Sequence, residues 1–119
     1  MKAFWNDCGT GPTPDQAEDV GLREARSIWS DQVRGVGGNF LGLIDEHGRK
    51  VQFYYEDDIP DGIDDADGLR IVLMDFPLPE RQGSFGRQVT IGEVEHLIET
   101  AFAEGADHRR FGALAFEPW

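Results

Sequence analysis

The stretch from Asn39 to Asp57, NFLGLIDEHGRKVQFYYED, constrains the fold more than any other part of the chain. It predicts a hairpin in which two apolar strands, Phe40–Ile44 and Lys50–Tyr55, are joined by the polar turn DEHG. Gly48 in this turn can adopt the positive φ that a tight hairpin turn requires. The hairpin therefore predicts an antiparallel sheet, and the remaining segments have to be placed around it.

The second strand of the hairpin presents two different faces. Successive side chains of a strand alternate, so Val51, Phe53 and Tyr55 share one face, and Gln52 and Tyr54 share the other. Tyr54 therefore points away from the expected core and stands just before a run of acids. An exposed aromatic side chain beside charges is typical of a protein interface. Covering the outer face of the sheet is the alternative role.

Two capping motifs predict two helices. The motif T-x-x-Q begins at Thr13 and precedes a helix expected from Pro14 to about Gln32. The motif T-x-x-E begins at Thr90 and precedes a second helix, which Gly105 is expected to end. Both segments carry apolar residues at helical spacing, so each helix is expected to bury one face.

Four further segments complete the predicted order of elements. KAFW near the start, the apolar stretch Leu69–Phe76, a short RQVT and the closing FGALAFEPW predict strands, and PLPERQGSFG predicts a connection. Strands that follow one another through hairpins favour antiparallel pairing. We expect residues 1–119 to form a single α+β domain. Its expected form is a two-layer sandwich, in which a mostly antiparallel sheet of about five strands carries two helices on one face.

The charge of the chain narrows the range of partners. It has 23 acidic and 11 basic residues and a net charge of -12. Such a field repels nucleic acid and anionic membranes and attracts basic proteins, so we expect no nucleic-acid or membrane partner. MKAFWNDCGTGP lacks the apolar core of a signal peptide, and no apolar run approaches the roughly 20 residues of a membrane helix. We expect a cytoplasmic protein.

Seven of the twelve residues from Glu56 to Asp67 are acidic. The segment from Glu56 to Gly68 is called the acidic loop below. Its acids are Glu56, Asp57, Asp58, Asp61, Asp64, Asp65 and Asp67. Crowded like charges destabilise a fold, so the loop is either a solvated segment or a surface that meets a basic partner. A calcium loop with its glycine at Gly68 would place Ile63 and Met74 at positions that need oxygen ligands. We therefore expect no calcium site.

Motifs for catalysis, metals and cofactors are not evident. His47, His96 and His108 are not spaced as metal ligands, and Cys8 is the only cysteine. No serine lies in a G-x-S-x-G elbow, and the glycine-rich segments lack the phosphate-binding pattern. We expect no catalytic residue, no metal and no cofactor. An enzyme that uses Cys8 or a pair of carboxylates stays open as an alternative.

The hairpin, the later segment VTIGEVEHLIETAFAEG and the closing RRFGALAFEPW together resemble a known family. They are similar to immunity proteins of bacterial polymorphic toxin systems, above all the first-numbered Imm family, whose members neighbour deaminase-fold toxins. The resemblance covers roughly residues 39–119. It implies a small acidic protein, not an enzyme, that binds its cognate toxin and blocks it.

The charge and the resemblance lead to one hypothesis and two alternatives. The hypothesis is an immunity protein that occludes the active site or substrate groove of a basic toxin, of deaminase or nuclease type. A phage-type mimic of nucleic acid that inhibits a host nuclease is the first alternative, and a small enzyme is the second. The expected contact residues are Tyr54, Glu56, Asp57, Asp58, Asp61, Asp64, Asp65 and Asp67.

Overall fold

The computed structural model describes all 119 residues and has an α+β fold. Its strands are β1 (Lys2–Asn6), β2 (Glu18–Asp19), β3 (Phe40–Ile44), β4 (Lys50–Tyr55), β5 (Val72–Leu78), β6 (Gly83–Val89) and β7 (Ala115–Pro118). Its helices are α1 (Leu22–Ser27), which continues into π-helical turns at Ile28–Gln32, and α2 (Val94–Glu104). The strands form one sheet in the order β2-β1-β3-β4-β5-β6-β7, and every neighbouring pair is antiparallel. The predicted α+β class and antiparallel sheet are confirmed.

The sheet has seven strands, whereas the sequence predicts about five. β2 is a polar two-residue strand that pairs with β1 through its backbone, which no apolar pattern announces. β6 pairs with β5 over its whole length, from Gly83 opposite Leu78 to Val89 opposite Val72. The segment predicted as a connection is therefore largely strand. Backbone pairing with β5 makes this segment extended, although its glycines disfavour a strand.

β5 lies later in the chain than the predicted strand Leu69–Phe76. Leu69 and Ile71 instead make backbone bonds at the ends of the preceding loop. Pro77 lies within β5, beyond the last residue of β5 that pairs with β4, which is Asp75. A proline costs little at such a position, because its missing N–H has no carbonyl to reach on that side.

The predicted helix from Pro14 to about Gln32 is wrong over its first half. Only Pro14–Gln16 form a short 3₁₀ turn, and the chain then extends through β2. Gly21 is extended, with φ of -89° and ψ of 176°, and α1 begins after it. Residues Glu18–Asp19 pair with β1 instead of continuing a helix, because Gly21 would weaken a continuous helix by about 1 kcal/mol.

One hydrophobic cluster contains residues of α1, of α2 and of the sheet. Trp29, after α1, stacks on Tyr55 of β4 with ring centroids 4.9 Å apart. The cluster also includes Ile98 of α2 and alternate residues of the inner strands, such as Phe53 and Met74. Residues of the opposite sheet face line an open groove instead. The acidic loop joins β4 to β5, next to both faces.

Candidate functional site

The first part of the acidic loop is held in place by the turn that precedes β3. All seven acids of the loop are exposed. The carboxylate of Asp58 accepts a hydrogen bond from the backbone N–H of Gly37 at 2.7 Å. The next residue, Ile59, donates its N–H to the carbonyl of Gly35 at 2.8 Å. The loop therefore leaves β4 along a fixed path.

The second part of the loop is anchored at the start of α2. The Asp65 carboxylate accepts from the N–H of Asp67 at 3.0 Å, which closes a local turn. The carbonyl of Asp67 accepts from the N–H of Gly92 at 2.9 Å. Asp61 and Asp64, between the two anchors, form no side-chain hydrogen bond. Both ends of the loop are fixed, and its middle presents carboxylates to solvent.

None of the seven loop acids forms an ion pair within the chain. The ion pairs of the fold use other carboxylates, for example Asp7 with Arg34 and Asp45 with Arg49. The loop charges are therefore uncompensated by the protein itself. Exposed like charges repel one another over about 10 Å at moderate salt. Basic side chains of a partner would relieve that repulsion.

Tyr54 lies on the open face of the sheet, as the alternation predicts, and is 39% exposed. Its ring stacks on that of Phe40, with centroids 6.3 Å apart, and Phe40 in turn contacts Phe4. Glu56 is close by, because its carboxylate accepts from the side-chain amide of Gln88 at 2.8 Å. Tyr54 also borders the groove of the open face, together with Gln88. These two predicted contact residues thus adjoin the open face.

Asp67 lies on the other side, beside the helices. It lines a cavity together with Trp29, Tyr55 and Gly92. Burial raises the pKa of the Tyr55 hydroxyl to about 12, and the negative charge of Asp67 acts in the same direction. The predicted contact residues are therefore brought together along one loop but not onto one flat surface. Tyr54 and Glu56 adjoin the sheet face, whereas Asp67 adjoins the helical side.

The groove of the open face has a volume of about 570 Å³. Its central row crosses four strands, because Gln52 is opposite Asp75, Asp75 is opposite Gly86, and Gly86 is opposite Ala115. Gly86 has no side chain and Ala115 has only a methyl group, so the surface is low at that point. Side chains of the two flanking rows and Trp119 form the walls, and they include Tyr54, Leu73, Gln88, Ser84 and Glu117.

Asp75 is the titratable group in the central row of this groove, and it is not among the contact residues predicted from the sequence. It is half-buried, and burial raises the pKa of its carboxyl above the ordinary value of 3.8. The hydroxyl of Ser84 acts in the opposite direction. A signal was present in the sequence, since a single acid interrupts the apolar run LRIVLMDF. Alternation from Val72 and Met74 places this acid on the open face.

Trp119 is a second groove residue that is not among the contact residues predicted from the sequence. Its side chain is 69% exposed, yet the indole N–H donates to the hydroxyl of Ser84 at 3.0 Å. The backbone N–H of Trp119 also donates to the carbonyl of Gln82 at 2.8 Å. These two bonds hold a large exposed aromatic surface at the wall of the groove. Exposed and ordered tryptophans are characteristic of binding surfaces.

The remaining titratable side chains form no arrangement with evident chemistry. No group of three or more His, Cys, Asp or Glu side chains is placed to hold a metal ion. Cys8 is exposed, and its sulfur accepts from the Asn39 side-chain amide at 3.6 Å rather than from a histidine. His108 stacks on Phe85 with centroids 4.3 Å apart, so its ring is used in packing.

Comparison with protein families, with curated proteins and with solved structures finds no match to this chain. No helix of the fold is both long enough and apolar enough to cross a membrane. The interpretation of the site therefore depends on its geometry and charge.

Proposed function

We propose that this protein is an immunity protein, which binds a cognate basic toxin in the cytoplasm and blocks its active site or substrate groove. The observation that carries the proposal is the acidic loop, whose seven carboxylates are exposed and have no ion pair within the chain. A toxin that acts on nucleic acid needs a basic cleft to hold its substrate. An anchored loop of carboxylates can occupy such a cleft in place of phosphates and is steered to it over a distance.

Two features of the loop support a role in binding rather than in solubility alone. Its ends are anchored through Asp58 and Asp67, so a partner would not have to order the whole segment. It also leads directly from Tyr54, an exposed aromatic residue that can pack against a partner. A merely solvated loop needs neither anchor nor aromatic neighbour.

We also propose the finer architecture expected from the sequence, a single domain in which α1 and α2 form one layer over one face of the sheet. The shared hydrophobic cluster supports this arrangement, because it contains Trp29, Ile98 and the inward-facing residues of the strands. Such a layer would leave the opposite face available to a partner. Nuclear Overhauser contacts between side chains of α2, such as Ile98, and the inward-facing side chains of the strands would test this packing, and their absence would contradict it.

The proposal is tested by capturing the partner at low salt. The tagged protein is expressed in its own host, or with the neighbouring gene, and retained proteins are identified by mass spectrometry. We expect a stoichiometric basic protein that arrests growth when expressed alone and does not when this protein is co-expressed. A retained host nuclease without toxicity of its own would instead support the nucleic-acid mimic. A retained partner that stays toxic would contradict inhibition.

A further inference from the structure

The groove on the open face carries more negative than positive charge. Three of its lining residues are charged, namely Asp75, Glu117 and Arg87. Asp75 and Glu117 form no ion pair, and neither does Arg87. The charge of Arg87 lowers the pKa of Glu93, before α2, so this guanidinium acts partly outside the groove. An anionic ligand would meet two carboxylates and the field of the whole chain.

The side chains around Asp75 suit a flat cation. Tyr54 and Trp119 line the same groove and offer aromatic faces. A guanidinium group stacks on such faces and forms paired hydrogen bonds with a carboxylate. Gly86, directly opposite Asp75, has no side chain that could cover the carboxylate, whose Oδ1 lies 3.6 Å from the position that a Cβ would occupy there. The polar side chains of Gln52 and Gln88 line the same groove.

The geometry points to this groove as the binding site for an arginine side chain of the protein partner, with its guanidinium over the carboxylate of Asp75 and beside Tyr54 and Trp119. This inference rests on the proposed function, because it assumes a basic protein partner. It adds a second contact region to the acidic loop. The loop attracts the partner over a distance, and the groove fixes one of its side chains in position.

A blocked tripeptide with arginine between two glycines tests the groove without the toxin. The labelled full-length protein is titrated at low salt and followed by backbone and indole N–H chemical shifts. We expect shifts at Asp75, Gly86 and the indole of Trp119. Asp75→Asn should bind about tenfold more weakly, since it loses a charge-assisted hydrogen bond. Trp119→Ala should also weaken binding, and it should leave the fold intact because the side chain is 69% exposed and lies outside the core.

Three controls make the experiment decisive. The same tripeptide with citrulline has the shape of arginine without its charge, and equal binding of the two peptides would overturn the inference. Asp15→Asn removes one charge near the opposite edge of the sheet and should bind as the wild type does. Unchanged signals of core residues such as Leu41 would show that Asp75→Asn is folded.

Failure of the inference can be separated from failure of the proposed function. Shifts confined to the acidic loop, and unchanged in Asp75→Asn, would overturn the groove as the site and leave an acidic partner-binding loop standing. Absence of shifts throughout would also overturn the groove. Specific binding of the arginine peptide, combined with capture of no toxic partner, would support the groove and contradict the immunity function.

Discussion

Asp45 and Asp107 hold the β3–β4 turn against the end of α2. The Asp45 carboxylate accepts from the N–H of Ala106 at 2.9 Å and from the Arg49 side chain at 2.7 Å. Arg49 also lies 3.5 Å from Asp107, which pairs with Arg109. At the scale of single residues the acids thus divide into two groups. These two are buried and satisfied by hydrogen bonds and ion pairs, whereas the acids of the loop are exposed and form no ion pair.

The pairing of Asp107 predicts a pH dependence of stability. Hydrogen bonds from the Arg109 side chain lower the pKa of Asp107 from 3.8 to about 2. Between these values the unfolded chain binds more protons at this site than the folded protein does, so stability falls as the pH falls from about 4 to about 2. We expect the melting temperature of Asp107→Asn to fall less steeply over that range. Asp15→Asn should keep the wild-type slope, and parallel curves for all three proteins would contradict the assignment.

At the scale of elements, two similar motifs give different caps. The Thr90 hydroxyl accepts from the N–H of Glu93 at 3.2 Å, and the Glu93 carboxylate accepts from the N–H of Thr90 at 2.6 Å. The hydroxyl of Thr13 accepts no such bond, although Gln16 bonds back to its N–H at 3.3 Å. The motif at Thr13 opens an isolated 3₁₀ turn, whereas the 3₁₀ turn after Thr90, Ile91–Glu93, continues directly into α2.

This difference predicts unequal effects of the same substitution. Thr90→Ala removes a side-chain bond ahead of α2, one face of which is buried, and should lower the free energy of unfolding by about 1 kcal/mol. Thr13→Ala removes no such bond and should change it by less than about 0.5 kcal/mol. Urea unfolding followed by circular dichroism measures both. A larger loss for Thr13→Ala would show that the first motif is the stronger cap.

The sequence predicts correctly those elements whose structure depends on their own side chains and turn residues. The β3–β4 hairpin is found with correct bounds, because apolar alternation and Gly48, with φ of 77°, agree. β2 and most of β6 are missed, since their pairing depends on neighbouring strands rather than on their own side chains. The same reasoning applies to the site. The acidic loop is contiguous and visible, whereas Asp75, Gly86 and Ala115 meet only through strand register.

At the scale of the whole molecule, the unpaired negative charges are most concentrated in one loop. The chain carries a net charge of -12, and the acidic loop contributes seven carboxylates without an ion pair. The loop and the open-face groove are linked through Glu56 and Gln88. If the central claim is correct, the position of these charges matters for binding, beyond their number. Two sets of variants with equal charge and different positions separate these effects.

The decisive measurement is the association rate of the captured partner at several salt concentrations. Joint substitution of Asp57, Asp61 and Asp64 by Asn removes three loop charges without removing a hydrogen bond of the loop. The control replaces Asp15, Asp19 and Asp31 by Asn and removes the same charge elsewhere. We predict that the loop variant associates about tenfold more slowly at low salt and with a weaker salt dependence, while the control stays within about twofold of the wild type. Equal rates for the two variants would contradict the account, because the acidic loop would then have no special part in binding.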